Sequence, residues 1–300
     1  MQVKPHTKIK HNILDAYFAI CKAVAKKLGK LNYIDLYAGD GEGECLELNP
    51  AKWDIPIISF LNETKDSDFE VACYMNDIDP ENYKKLKEKL NPYLKQVKRI
   101  ECKNANEVYI DFLGEYKPTQ WSIVLLDPYT YSQLEFKTIE GLSQHKGYYY
   151  GTTCRQPELI ISFMTLGMQR NLKDEDGINK ALGISESRIW KDRIDRGEKT
   201  YEVFLDIMLR QLQKLGYFCV YFSIEQTRPS ASHLYYIIFA SNNPKAFDII
   251  DKKFAPYISK MMEQKWIKEN YSFRLISNAR KQKISCGLGW QNLSAYHSRF

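Results

Sequence analysis

Three glycines at alternate positions directly follow a short apolar segment in the N-terminal part of the chain. The segment covers residues 33–36, and Gly39, Gly41 and Gly43 come after it. A short apolar run is typical of a buried strand, and glycines allow a loop to approach a ligand closely. In an open α/β sheet, nucleotide-like ligands bind at the end of the first strand. The spacing therefore predicts a ligand-binding loop, and the alternative is a tight turn that binds no ligand.

The charges of this loop distinguish between classes of nucleotide ligand. The dinucleotide pattern G-x-G-x-x-G requires a glycine at position 44, where this chain has Glu44. Because Asp40 and Glu42 are acidic too, the loop would repel a pyrophosphate and attract a ligand with a sulfonium and an ammonium group. S-adenosylmethionine is such a ligand. The loop residues that we expect to bind it are Asp35, Tyr37, Ala38, Gly39, Asp40, Gly41 and Gly43.

An acidic residue follows the second predicted strand, residues 69–76. Asp77 is placed to accept hydrogen bonds from both hydroxyls of a ribose, since a carboxylate offers two oxygens, and Ile78 lies beside it. Asp79 is expected to cap the following helix, with Pro80 at its first position. The alternative for Asp77 is also a cap or a turn residue.

A polar residue follows the third predicted strand, residues 99–102. Asn104 carries a donor and an acceptor, which suits the edge of an adenine ring, and Ala105 comes next. Asn-rich turns are common, so a simple turn is the alternative.

Residues 122–126 form a continuous apolar run that ends in Asp127, Pro128 and Tyr129. Such a run is typical of a central parallel strand that is buried on both faces. The proline stiffens the loop and the tyrosine offers a stacking face. The acid can bind the cofactor amine or an acceptor proton. The run therefore predicts an active-site rim, with a strand-ending turn as the alternative.

Lys10 and His11 lie at the start of a predicted amphipathic helix over residues 11–28. A helix next to the first strand could bring them to the cofactor or to the acceptor, and a solvated basic helix start is the alternative. With Asp127, Pro128 and Tyr129 they complete the candidate catalytic residues. No metal site is predicted.

The order of the predicted elements indicates an α/β fold of the Rossmann-like class I methyltransferase type. We expect a mostly parallel seven-stranded sheet whose last two strands, residues 217–224 and 233–240, form an antiparallel hairpin at the sheet edge. A charged, solvent-facing helical insertion is expected at about 165–199. Helices are also predicted over residues 51–63, with Trp53 on the apolar face, and over residues 245–268. Residues 1–242 would form the main domain, and 243–300 a helical, basic extension packed on it.

Composition limits the class of protein. The chain has 300 residues and a net charge of +6, and it has no apolar stretch of about 20 residues, so we expect no membrane span. Its seven cysteines are odd in number and lack metal-knuckle spacing, which favours reduced cysteines in a cytoplasmic protein. The positive charge permits contact with nucleic acid. In the tail, basic residues alternate with aromatics, a pattern typical of nucleic-acid surfaces, although a docking tail is an equal alternative.

In their order along the chain, these motifs resemble the three-Cys-motif partner proteins, a bacterial and phage group with a methyltransferase-like fold. The resemblance covers about residues 8–250. It is carried by Lys10-His11, Tyr33-Ile-Asp-Leu-Tyr-Ala-Gly-Asp-Gly, Asp77-Ile-Asp-Pro, Asn104-Ala-Asn, Leu126-Asp-Pro-Tyr, Ser162-Phe-Met with Arg170-Asn, and residues 217–241.

The resemblance implies a partner with three cysteines that is similar to a radical S-adenosylmethionine protein. Two positions depart from related patterns. Many members have an acid where Asn104 stands, and the Asp-Pro-Pro-Tyr of DNA amino-methylating enzymes is reduced here to Asp127-Pro-Tyr. Three functions follow as hypotheses: a methyltransferase acting on nucleic acid or, next, on protein; a non-catalytic partner subunit; and a nucleic-acid-binding protein that needs no cofactor.

Overall fold

The computed structural model describes residues 3–149, 153–226, 233–243, 246 and 271–277. The strands are β1 (Lys30–Asp35), β2 (Glu42–Glu44), β3 (Lys52–Asp54), β4 (Glu70–Asn76), β5 (Val97–Glu101), β6 (Ser122–Leu126), β7 (Gly147–Tyr149), β8 (Thr153–Arg155), β9 (Glu158–Phe163), β10 (Phe218–Gln226), β11 (His233–Ser241) and β12 (Tyr271–Ser277). The helices are α1 (Pro5–Leu28), α2 (Pro56–Thr64), α3 (Pro80–Leu90), α4 (Ala105–Leu113), α5 (Phe136–Gln144), α6 (Thr165–Arg170), α7 (Glu175–Leu182), α8 (Arg188–Asp195) and α9 (Thr200–Lys214).

Eight strands form the main sheet, in the order β12-β10-β11-β9-β6-β1-β4-β5. The five strands from β9 to β5 are parallel, while β11 runs antiparallel to β9 and to β10. The predicted seven strands with an antiparallel C-terminal pair are therefore confirmed. The predicted place of that pair at the sheet edge was wrong, because β12 pairs along the outer side of β10.

Helices cover both faces of the sheet, so successive side chains along β1 are buried on opposite sides. Tyr33 packs with Phe18 of α1 on one face, where the ring centroids are 5.3 Å apart. Ile34 belongs to the core on the other face, together with Phe112 of α4. Burial on both sides explains why the central strands read as continuous apolar runs.

Two predicted helices have different starts in the structure. Helix α1 begins at Pro5, so Lys10 and His11 lie within it, and Gly29 ends it in the left-handed conformation with φ 76°. The helix predicted at 51–63 begins only at Pro56, because a proline fits best at a first helical position. The residues before it form β3, which pairs with β2 as a small antiparallel hairpin.

The predicted insertion at about 165–199 contains the three short helices α6, α7 and α8. The charges had indicated a solvent-facing insertion, but part of it is buried. Ile178, Leu182 and Trp190 belong to the core. The helix predicted at 245–268 lies outside the described residues apart from position 246. Within the described part of the chain, no helix is both long and apolar enough to cross a membrane.

Candidate functional site

The ends of three neighbouring parallel strands bring the predicted site residues to one edge of the sheet. Backbone hydrogen bonds continue past these ends: Ala38 N–H donates to Asn76 O at 2.8 Å, and Leu36 N–H donates to Leu125 O at 3.3 Å. The glycine loop after β1 therefore lies between the residues that follow β4 and those that follow β6. Parallel strands produce this convergence because all their carboxyl ends meet at the same edge.

The three glycines of the loop have three different surroundings. Gly39 has φ 63°, and a Cβ added there would meet no atom within 4 Å. Gly41 has φ 80°, but its added Cβ would lie 3.1 Å from side-chain atoms of Ile58 and Lys89. At Gly43 an added Cβ would overlap a tryptophan ring, described below. Of the three, Gly39 is the one whose backbone faces open space.

Asp77 is held directly against this open part of the loop. Its Oδ2 accepts a hydrogen bond from Gly39 N–H at 2.8 Å. Its Oδ1 accepts from Asp79 N–H at 3.0 Å and from Asn82 Nδ2 at 3.2 Å. The neighbouring Ile78 is 59% exposed. Asp79 caps α3 as predicted, by accepting from two backbone N–H groups of its first turn.

Sequence reasoning missed Asn76, which fixes the geometry of this edge. Its side chain is fully buried, and its Nδ2 donates to Leu36 O at 3.1 Å and to Lys103 O at 3.0 Å. Its Oδ1 accepts from Lys103 N–H at 3.0 Å. One amide therefore joins the ends of β1, β4 and β5. The only sequence signal is a polar residue at the end of an apolar strand.

The structure places Asn104 and Ala105 at the start of α4, after β5. Asn104 is the N-cap, and its Oδ1 accepts from Asn106 N–H at 3.0 Å. Ala105 is buried. Capping accounts for the asparagine without a ligand, and adenine binding by Asn104 stays a prediction.

Asp35 is a buried carboxyl group beneath the loop. Its Oδ1 accepts from Tyr37 N–H at 3.0 Å, and its Oδ2 accepts from the Tyr33 hydroxyl at 3.1 Å. Burial, with the nearby Asp127 charge adding to it, raises the pKa of Asp35 to about 7. Tyr37 itself donates through its hydroxyl to Gln133 O at 2.9 Å. Asp35 thus supports the loop from below.

Lysines of the surrounding elements neutralise part of the acidity of the loop. Glu42 lies 2.9 Å from Lys89 Nζ and 3.2 Å from Lys52 Nζ. Lys52 Nζ is also 3.6 Å from Glu44. Asp40 is buried, and its Oδ1 accepts from Glu42 N–H at 3.2 Å. The charges of Glu42 and Glu44 are thus partly compensated within the chain.

Lys10 and Asp127 form an ion pair at the end of β6. Lys10 Nζ donates to both carboxylate oxygens, at 2.7 Å and 2.5 Å, and the two side chains are only 13% and 17% exposed. Burial opposes the charge of Asp127, but Lys10 outweighs it, so the pKa of Asp127 lies below its ordinary value. Pro128 follows, and Tyr129 is 76% exposed, with its N–H donating to Gln133 Oε1 at 2.7 Å. The structure thus brings Lys10 and Asp127 together, with a tyrosine ring open to solvent nearby.

His11 is bound to a residue that the sequence analysis had placed on a helix. Trp53 of β3 donates from Nε1 to His11 Nδ1 at 2.8 Å. Burial, followed by the charge of Lys10, lowers the pKa of His11 to about 3. His11 is therefore neutral over the physiological range. No sequence signal pairs these residues, because they lie on separate elements.

The sequence matches no protein-family model and no curated protein. The fold does match solved structures. A protein of the DUF519 family from Legionella pneumophila is 12% identical, with a TM-score of 0.58 over 90% of this chain and 95% of that chain. Precorrin-6y C5,15-methyltransferase from Geobacter metallireducens is also 12% identical, with a TM-score of 0.38 over 75% and 86%.

A third match, TYW2 of M. jannaschii in complex with AdoMet, has 12% identity and a TM-score of 0.33 over 75% of this chain and 74% of that chain. The strand order confirms the predicted α/β fold with a mostly parallel sheet and an antiparallel C-terminal strand pair, and the DUF519 protein shares this fold. The resemblance to the three-Cys-motif partner proteins stays a prediction.

Proposed function

We propose that the protein is an S-adenosylmethionine-dependent methyltransferase. The observation that carries the proposal is the carboxylate of Asp77, held 2.8 Å from the backbone of Gly39. A Cβ at Gly39 would point into open space, so the loop leaves room for a ligand beside a carboxylate. The site fits this cofactor, because Asp77 Oδ2 accepts one hydrogen bond from the loop and has a lone pair left for a ribose hydroxyl, while the exposed Ile78 can cover the adenine face.

In this proposal the residues of the chain position the reactants. The cofactor, when bound, supplies an electrophilic methyl group. Asp77 and Gly39 would hold its nucleoside part, while Asp127, Lys10 and Tyr129 would line the acceptor side. Alignment of the acceptor with the methyl group contributes a large part of the rate in such reactions.

We propose nucleic acid as the acceptor class, with protein as the next choice. The supporting observations are the net charge of +6 and the exposed ring of Tyr129, which offers a face for stacking beside Asp127. A nucleic-acid-binding protein that needs no cofactor would show strongly salt-dependent affinity that does not change when cofactor is added. An effect of cofactor on the affinity for nucleic acid therefore distinguishes a methyltransferase from a protein that only binds nucleic acid.

A second candidate is a non-catalytic partner subunit, as the resemblance to the three-Cys-motif partner proteins implies. The observation that favours it is the ion pair itself. Lys10 occupies both oxygens of Asp127, so an internal cation holds the place that a ligand amine would take. Such a subunit would bind its three-cysteine partner without methylating anything.

Calorimetry with S-adenosylmethionine and S-adenosylhomocysteine tests the proposal. We expect Asp77→Asn to weaken binding by at least about 10-fold, because a hydrogen bond to a charged group contributes about 1.5 to 3 kcal/mol. Asp79→Asn is the matched control. Asp79 Oδ1 accepts from Glu81 and Asn82 N–H, and asparagine caps a helix equally well. The affinity of this variant for the two compounds should therefore not change.

A second variant tests the open space at the loop. Gly39→Val should abolish binding, while Gly197→Val, at another positive-φ glycine with nothing within 4 Å of an added Cβ, should retain it. If the wild-type chain binds neither compound at millimolar concentration, the enzyme proposal fails and the partner-subunit candidate replaces it.

A further inference from the structure

Trp53 joins the glycine loop to the helix that carries Lys10. Its ring packs on Gly43 so closely that an added Cβ there would lie 2.5 Å from Cζ2 and 2.6 Å from Nε1. These separations are far below ordinary contact, so no side chain fits at position 43 while the ring stays in place. The third glycine of the loop is therefore explained by the tryptophan.

The other side of the same ring is bound to α1. The indole Nε1–H donates to His11 Nδ1 at 2.8 Å, and the two rings meet edge to face at 76°. Lys8, one turn earlier, places its Nζ 4.8 Å from the centroid of the indole. A cation over the face of a tryptophan is a favourable contact.

The chemistry of the indole determines the state of the imidazole. An indole nitrogen is a donor only, so its partner Nδ1 must carry a lone pair and no proton. The single proton of the neutral ring is then on Nε2. Protonation of His11 would place a hydrogen on Nδ1 and break this bond.

The charged groups around His11 also favour its neutral form. The ring is 8% exposed, and the charged groups that face it are Lys10 and Lys8 of α1 and Asp127 after β6. The two lysines oppose a further positive charge, and Asp127, which favours one, is already paired with Lys10. Among the described residues, none accepts a hydrogen bond from Nε2 of His11.

We propose that Trp53 is a positioning residue: seated on Gly43, it fixes His11 as a neutral imidazole whose Nε2–H is available as a donor to a bound ligand. The tryptophan thereby couples the shape of the glycine loop to the hydrogen-bonding state of the acceptor side. The meaning of this coupling for methyl transfer rests on the proposed function, but the coupling itself does not.

Nitrogen-15 NMR of the histidine rings in the full-length protein without cofactor tests the coupling. His11→Gln identifies the His11 signals. In the wild type we expect Nδ1 to be unprotonated and Nε2 protonated, without titration between pH 5 and 8. Trp53→Phe keeps a ring on Gly43 but removes the donor, so a fraction of Nδ1–H should appear at pH 7, and a titration extended below pH 5 should show the pKa of His11 raised by roughly one unit.

Gly43→Ala tests the link to the loop, because the added methyl must displace the ring. It should raise the pKa of His11 as Trp53→Phe does. Trp190→Phe is the matched control, since it also removes an indole hydrogen bond, the one to Asn179 Oδ1 at 3.0 Å, but at a distant site. His11 should be unchanged in it. A tryptophan with a purely packing role would not move this titration.

Two results would overturn the inference: a wild-type His11 that titrates near pH 6.5, or a Gly43→Ala variant with the wild-type His11 signals. Adding S-adenosylhomocysteine separates this outcome from that of the proposed function. If the compound does not bind, the methyltransferase proposal fails, while the NMR results without cofactor still decide the role of Trp53.

Discussion

Removing Lys10 should reveal how strongly the end of β6 depends on its ion pair. We expect Lys10→Met to destabilise the protein by about 3 to 5 kcal/mol at pH 7.5, since it leaves a buried carboxylate without its partner. The estimate for a buried pair applies because the Lys10 and Asp127 side chains are only 13% and 17% exposed. Urea unfolding followed by circular dichroism measures the change.

The destabilisation by Lys10→Met should also depend on pH, in a direction that follows from the pKa of Asp127. The pKa of Asp127 is depressed in the folded protein, although burial alone would raise it. Its stabilisation is therefore present above the pKa of the unfolded chain and is lost as the pH falls. In Lys10→Met, burial is opposed only by the smaller effects of Ser162 and His11, so the carboxyl takes up a proton at higher pH. The cost of the substitution should then decrease from pH 7.5 towards pH 4.

Lys22→Met, on the same helix, is the matched control. Lys22 Nζ lies 3.8 Å from Glu63, with the two side chains 43% and 60% exposed, so the loss should stay below about 1 kcal/mol. The double variant Lys10→Met with Asp127→Asn should recover part of the stability, because no charge is left unpaired. The reasoning is refuted if Lys10→Met costs no more than Lys22→Met, or if its cost does not change with pH.

Two further substitutions test the supports of the loop. The pKa of Asp35 is raised to about 7. The free energy of unfolding of the wild type should therefore fall as the pH rises from about 4 to 7, by up to about 1.4 kcal/mol per pH unit. Asp35→Asn should remove this slope in urea unfolding at pH 5 and 8, and an unchanged slope would contradict the assigned burial. Asn76→Ala should cost about 2 to 4 kcal/mol in urea unfolding, since it removes the partner of the buried Leu36 carbonyl and two part-buried bonds to the backbone of Lys103. A cost below 1 kcal/mol would mean that water replaces the amide.

The sheet could be predicted from the sequence where burial leaves a clear local pattern. Strand β6 occupies residues 122–126 as expected, because a strand covered on both faces is predominantly apolar and residues 123–126 form an unbroken apolar run. The acids that follow the strands were also predictable in position. Asp77 and Asp127 lie at the ends of β4 and β6, on either side of β1, and this convergence is a property of parallel sheets and not of either residue alone.

The contacts between elements distant in sequence could not be predicted. Trp53 was expected on a helix, because its apolar spacing also fits one, and only the pairing of β3 with β2 shows that it faces Gly43. The same limit applies to Lys10, whose partner lies 117 positions away. Patterns in sequence indicate which elements form, while partners of this kind depend on how the elements pack.

The eighth strand of the sheet, β12, also covers the backbone edge of β10. Strand β12 pairs with β10 along Val220–Gln226, so residues beyond position 270 close a side of the sheet that would otherwise present unpaired backbone groups. Strand β10 is strongly apolar, with Val220, Phe222 and Ile224 all buried. An exposed edge of this kind is a template for pairing with another chain. A shortened protein that ends before Tyr271 should therefore tend to self-associate through β10, even though every residue of the candidate site is still present.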